Sequence, residues 1–141
     1  MANHENHIQL AENYMKIWNA GQDHLLEKLA DPELEVSYTH FGKTYSGINE
    51  YREILKMTHQ SFPDLAISIK NIIPADKAIV VEWEYAGTHQ NGNLFGVEAS
   101  GKKVNVSGVT LLEIKKGKIV SEKGIVDNLS LIMQLGALSQ N

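Results

Sequence analysis

Three titratable side chains stand where a cavity could use them, and the chemistry they could share is proton transfer. Asp127 directly follows the alternating run Ile119 to Val126 and precedes a run of helical spacing. A carboxylate at such a junction has two roles open to it. As a helix N-cap it accepts backbone N–H bonds worth roughly 1 kcal/mol; as a partly desolvated pocket group it gains a raised pKa suited to general acid/base work. His40 closes the alternating set Leu34, Val36, Tyr38 and His40, which puts it on the inward face beside Tyr38. An imidazole with an ordinary pKa of about 6.5 can act as acid or base at neutral pH, or can simply bond backbone at a strand end. His89 follows Gly87-Thr88 where a strand gives way to a polar loop, either as a rim group of a pocket or as an exposed loop histidine.

The candidate walls are aromatic. Tyr14 and Trp18 share one helix face with Ile8, Ala11 and Met15; Trp83 and Tyr85 share a strand face with Ile79, Val81 and Gly87; Phe95 lies in the loop before the next strand. In that strand Val104, Val106, Gly108, Thr110 and Leu112 fall on one face. Glycine weakens a strand interior, so Gly108 marks either a bend or a close approach by a ligand. Tyr14, Trp18, Tyr38, Trp83, Tyr85, Phe95, Gly108 and Thr110 are the expected ligand-binding set.

Composition removes other chemistries. The chain of 141 residues contains no cysteine, so disulfides, thiolate metal sites and a cysteine nucleophile are excluded. It has no Gly-x-Ser-x-Gly elbow, phosphate loop, dinucleotide fingerprint or paired-histidine zinc motif. His4 and His7 have ligand-like spacing, but near a chain end a solvated role is expected. The formal charge of -4 and the absence of a basic stripe argue against nucleic acid and anionic membranes as partners. The first 20 residues hold no continuous apolar run, and nothing later reaches the about 18 residues of a membrane span. A soluble cytoplasmic protein is expected.

These residues need a scaffold, and the hydrophobic period supplies one. A first helix runs to Ala20-Gly21, and a short second one carries Leu25, Leu26 and Leu29 between Asp23 as N-cap and Asp31-Pro32. The strand from Glu33 to His40 follows, then a helix after Gly47 with Tyr51, Ile54, Leu55 and Thr58 on one face. From Leu65 the period is two: strands 65–73, 78–88, 103–114 and 118–126 are joined by short turns, Lys115-Lys116-Gly117 among them, which favours an antiparallel meander. A last helix covers 129–135 and stops at Gly136. Helices followed by strands predict one α+β domain over 1–141, with frayed ends at 1–6 and 138–141. Val109 and Leu111 make the 103–114 strand apolar on both faces, which points to a homodimer through the outer sheet face.

Four segments, in this order, resemble the SnoaL-like branch of the NTF2-like superfamily: Trp18-Asn19-Ala20-Gly21, Ser61-Phe62-Pro63-Asp64-Leu65, Gly87-Thr88-His89 with Phe95-Gly96 and Gly101-Lys102, and Asp127-Asn128-Leu129 before Gln134-Leu135-Gly136. The resemblance implies a cystatin-like α+β fold, in which a curved antiparallel or mixed sheet is wrapped by helices around a cone-shaped pocket. It further implies a small apolar organic ligand, a homodimer, and polyketide or ester cyclase activity by intramolecular aldol condensation with no metal or cofactor. Cyclases of this type carry a catalytic aspartate after a tryptophan on the last strand. Here Lys123-Gly124 stands at that place, and Glu122 and Asp127 are the nearest acids. The wider group of ester cyclases and SnoaL-like proteins keeps an aspartate at the position of Asp127, so the resemblance implies Asp127 as the acid/base, with His40 and His89 polarising or relaying protons at a ligand carbonyl. The alternative is a non-catalytic ligand-binding or dimerisation module that lost the acid at Gly124. Ketosteroid isomerases resemble the chain more weakly, through Tyr14, Asn19-Ala20-Gly21 and Ser46-Gly47, but that comparison puts Tyr38 and Thr110 at the positions of their two aspartates. Limonene epoxide hydrolases need an Asp-Arg-Asp set, and Arg52 is the only arginine.

Overall fold

Alternation and helical spacing divide the chain much where the sequence predicts, and the computed structural model describes residues 4–137. Helix α1 spans His4–Met15 and continues as one turn of 3-10 helix to Trp18. The short α2, Leu26–Leu29, follows another 3-10 turn, and α3 covers Ile48–Ser61. The strands are β1 (Ala30–Tyr38), β2 (Tyr45–Ser46), β3 (Ala66–Pro74), β4 (Ala78–Thr88), β5 (Asn93–Leu94), β6 (Val97–Glu98), β7 (Lys103–Lys115) and β8 (Lys118–Val126), and α4 spans Asn128–Leu135. Positions 4 to 6, expected to fray, belong to α1; the rest of the ends expected to fray, 1–3 and 138–141, lie outside the described residues.

One six-stranded sheet has the order β2-β1-β8-β7-β4-β3, and β5 and β6 form a separate hairpin. The meander β3-β4-β7-β8 is antiparallel as expected, with β7 and β8 joined by Lys116 and Gly117, both at positive φ as a tight two-residue hairpin turn requires. The sheet is nonetheless mixed, because β1 runs parallel to β8 and pairs Tyr38 with Gly124. Curved around its helices, it gives an α+β architecture.

Two boundaries differ from expectation. Asp31-Pro32 does not close α2 but lies inside β1, where the register to β8 is interrupted between Ala30 and Glu35; a residue without an N–H fits only such a break. The strand ends at Tyr38, so His40 sits in the turn beyond it.

Each helix buries the face its spacing predicts. Ala11, Tyr14 and Met15 of α1 and Tyr51 and Leu55 of α3 enter one core with Leu34 and Val36 of β1 and Ile79, Val81 and Leu112 of the meander. A second cluster gathers Leu131 and Leu135 of α4 with Phe62, Leu65, Val104 and Val106. Between the two clusters the side chains separate. Among the described residues no helix is long and apolar enough to cross a membrane.

Candidate functional site

The gap is a cavity of about 490 Å³ between α3, the inward sheet face and the β5–β6 hairpin. Trp18, Tyr38, Phe41, Phe62, Trp83 and Tyr85 form much of its wall. Met57 and Phe95 also line it and are 67% and 53% exposed, so they mark its mouth. Among the described residues, no lysine, arginine, aspartate or glutamate lines the cavity. Its polar residues are His40, Thr58, Gln60, Ser61, Asn93 and Asn128, beside the tyrosines Tyr38, Tyr45 and Tyr85. Such a lining would desolvate a molecule placed there without offering it a counter-ion, which penalises a charged one.

The aromatic walls are fixed by glycines on neighbouring strands. Trp83 faces Gly108 across the β4–β7 pair, and a Cβ at Gly108 would lie 2.3 Å from the indole Cζ2. The register there is unbroken, so Gly108 serves a close approach by a side chain rather than a bend. The indole Nε1 donates to Thr110 Oγ1 at 2.8 Å, and Thr110 lies 3.0 Å from the Tyr38 hydroxyl.

Beneath the wall lies a group that alternation from Ile119 hides. Glu122 is fully buried and accepts from three phenols: Tyr14 at 2.7 Å, Tyr51 at 2.8 Å to each oxygen, and Tyr38. Burial raises its pKa, and the three phenol bonds oppose that shift. Burial also raises all three tyrosines well above the ordinary phenol, with the nearby Glu122 charge adding to it. The sequence masks the position because β7 and β8 slip by one residue between Glu113 and Ile114. Ile119 and Glu122 therefore both point inward although three residues apart.

The expected site residues separate into three groups. His40, Trp18, Tyr38, Trp83, Tyr85 and Phe95 all line the cavity. His40 is largely exposed and stands 6.0 Å from the Tyr38 ring and 4.8 Å from Phe41, between centroids; partial burial lowers its pKa. Tyr14 and Thr110 belong to the hydrogen-bonded layer behind the wall, and Gly108 lies under Trp83.

His89 and Asp127 are not among the cavity-lining residues. His89 is 1% exposed, donates Nε2–H to the Gly92 carbonyl at 2.9 Å and packs against Phe62, so it braces the loop behind a wall residue. The exposed Asp127 caps α4, its Oδ1 accepting from Ser130 N at 3.1 Å. It borders an outer depression with Ser107, Val109, Ile125 and Leu129. At the chain start, His4 pairs with Asp76 and His7 contacts the Ala75 carbonyl.

Comparison with known proteins matches this arrangement to one family. The family model described as SnoaL-like polyketide cyclase matches residues 8–135. Among solved structures, the chain is similar to TsrD from Streptomyces laurentii (22% identity, TM-score 0.85, covering 98% of this chain and 100% of that one). It is also similar to a candidate polyketide cyclase from Acidithiobacillus ferrooxidans (19% identity, TM-score 0.83, 99% and 100%). A third is AclR, a candidate hydroxylase from Streptomyces galilaeus (20% identity, TM-score 0.85, 98% and 89%). At these identities the likeness is one of fold. No curated protein matches the chain.

Proposed function

The chain belongs to the SnoaL-like polyketide cyclase family, and from that premise we propose that it binds an uncharged, mainly apolar organic molecule of ring size and moves protons on it with side chains alone. The observation that supports this most is the cavity itself: about 490 Å³, aromatic on most sides, with one imidazole at its edge. The family's reaction class is ring closure. In an aldol-type closure a base removes a proton next to one carbonyl, the resulting carbon attacks a second carbonyl, and the new oxyanion takes up a proton.

His40 is the base in this proposal. Its lowered pKa keeps it neutral, and so able to accept a proton, at pH 7. Asp127, which the sequence offered for this task, has its carboxylate bonded to the α4 amide instead. Tyr38, Trp83 and Tyr85 hold the ligand rings, and Asn93 and Asn128 supply neutral hydrogen bonds.

The test is a titration with the neutral apolar dye N-phenyl-1-naphthylamine. Binding in the cavity raises its fluorescence, and Ile54→Trp, which fills the wall, removes the rise; no rise with the wild type contradicts the proposal. Linear poly-β-keto esters then test turnover, which His40→Ala should lower by about 10²-fold or more. A second reading is binding without turnover, favoured by the missing side chain at Gly124 and the capping role of Asp127. Dye binding with no cyclised product would select it.

A further inference from the structure

Three tyrosines converge on Glu122, and only one of them lines the cavity. Tyr14 and Tyr51 reach the carboxyl from α1 and α3 and end there, whereas Tyr38 reaches it from β1 and also forms part of the wall. We propose that Glu122 and Tyr38 form a proton-donating relay at the cavity floor: the Tyr38 hydroxyl donates to the carbonyl oxygen of the bound molecule, and Glu122, as the neutral acid, donates to the Tyr38 oxygen. The inference rests on the ligand-binding reading above and adds the group that holds the ligand's oxygen.

A count of hydrogens carries the argument. Each phenol has one. If Glu122 were ionised, all three phenols would spend their hydrogens on it, and Tyr38 would have none for a ligand. A neutral Glu122 brings one more hydrogen into the cluster. Its O–H then donates to the Tyr38 oxygen, and the hydrogen on Tyr38 is released. Thr110 does not need that hydrogen, because it already accepts from Trp83 Nε1, a group that can only donate, and its own hydroxyl can turn to Tyr38. Tyr38 would then accept twice and donate once, which fills its capacity.

The surroundings favour the neutral acid. Glu122 is fully buried, its titratable neighbours are Tyr14, Tyr38 and Tyr51, and β7 faces it with Leu112 and Thr110. Among the described residues no lysine, arginine or histidine forms an ion pair with it. A carboxylate desolvated without a cation is costly, and here that cost outweighs the help of three phenols, leaving the pKa raised. Position adds to charge. A Cβ at Gly124 would lie 2.3 Å from Tyr38 Cε2 and 2.9 Å from Cζ, so the edge of the phenol ring next to its hydroxyl occupies the space that a side chain at 124 would take.

The step balances. His40 takes a proton from the carbon next to the carbonyl as the ligand oxygen takes one from Tyr38, which is refilled from Glu122. The ligand passes from ketone to enol, His40 becomes imidazolium, and Glu122 becomes a carboxylate held by its phenols. As the new carbon–carbon bond forms, the enol O–H gives its proton back through Tyr38 to Glu122, and the imidazolium gives its proton to the new oxyanion, so the product leaves with a hydroxyl and both side chains are reset.

The test uses Prodan, a neutral aromatic ketone whose emission moves to longer wavelength when its carbonyl accepts a hydrogen bond. The wild type should bind it with long-wavelength emission, and Tyr38→Phe should bind it within about 3-fold of the same affinity but with the emission shifted to shorter wavelength. Infrared spectra at pH 7 should show a protonated-carboxyl band that Glu122→Gln lacks. Equal emission from wild type and Tyr38→Phe would overturn the relay while leaving the binding reading intact. A missing carboxyl band would do the same, and it decides alone if Tyr38→Phe does not fold. Failure of the wild type to bind Prodan would overturn both.

Discussion

The ring of Tyr38 lies across Gly124 on the neighbouring parallel strand, so close that a Cβ at position 124 would stand 2.3 Å from its Cε2. Gly124→Ala should therefore destabilise the fold by about 1–3 kcal/mol, because the ring must leave its hydrogen bond to Glu122 or the strands must part. Denaturant melts of this variant should show a lower midpoint at an unchanged slope; a midpoint equal to wild type would mean that Tyr38 moves freely.

Asp127 gives a prediction that separates capping from catalysis. Asparagine caps about as well as aspartate, so Asp127→Asn should retain wild-type dye binding and stability, whereas Asp127→Ala should lose roughly 1 kcal/mol. Turnover on any verified substrate should survive the Asn change as well. Its loss with the fold and dye binding intact would return Asp127 to the mechanism.

Much of this was legible in the sequence because burial follows period. The inward set Ile79, Val81, Trp83 and Tyr85 and the face Val104 to Leu112 were readable from alternation alone, and both strands lie where expected. Of the cavity walls, Trp83 and Tyr85 followed from that strand face, Tyr38 from the alternation of Leu34 to His40 and Trp18 from the face of the first helix, while Phe95 was singled out as a loop residue. Glu122 did not, because the one-residue slip between β7 and β8 reverses the face assignment from Ile119. Gly108 was singled out, but its cause, the indole of Trp83, lies on another strand. His89 and Asp127 were ambiguous for a different reason: a loop histidine and a capping carboxylate differ from site residues only in where the side chain turns, and that depends on distant partners such as Gly92 and Ser130.

The pH dependence of stability should carry the sign of Glu122. Its folded pKa is raised, so above the unfolded value of about 4.3 the unfolded chain releases a proton that the folded chain keeps. The neutral acid's contribution is complete below that pH and is lost as pH rises through the folded pKa. Glu122→Gln lacks this loss, and its stability relative to wild type should increase from about pH 4.3 upward. His40 acts in the opposite sense: with a lowered folded pKa, its contribution is present above about pH 6.5 and lost as the solution is acidified. A constant difference between wild type and Glu122→Gln from acid to neutral pH would contradict the first claim.

The outer face of the sheet gives a prediction about assembly. Val109, Leu111 and Ile125 are exposed there at 45%, 36% and 61%, between the acidic Glu82 and Glu84 and the basic Lys70 and Lys123. We propose that a second copy covers this patch. Light scattering at micromolar concentration should give twice the 15.7 kDa chain mass, and Ile125→Lys should return it to one. A wild-type mass of a single chain would refute the dimer.

The central claim, that the cavity takes an uncharged ring-sized ligand, is tested most directly by the indole N–H resonances. The chain has two tryptophans, Trp18 and Trp83, and both line the cavity. Titration of 15N-labelled protein with Prodan should move both resonances along one saturable curve, with Trp83 shifting further because its N–H bonds to Thr110 beside Tyr38. Two indole signals that stay fixed through saturating Prodan would contradict the account.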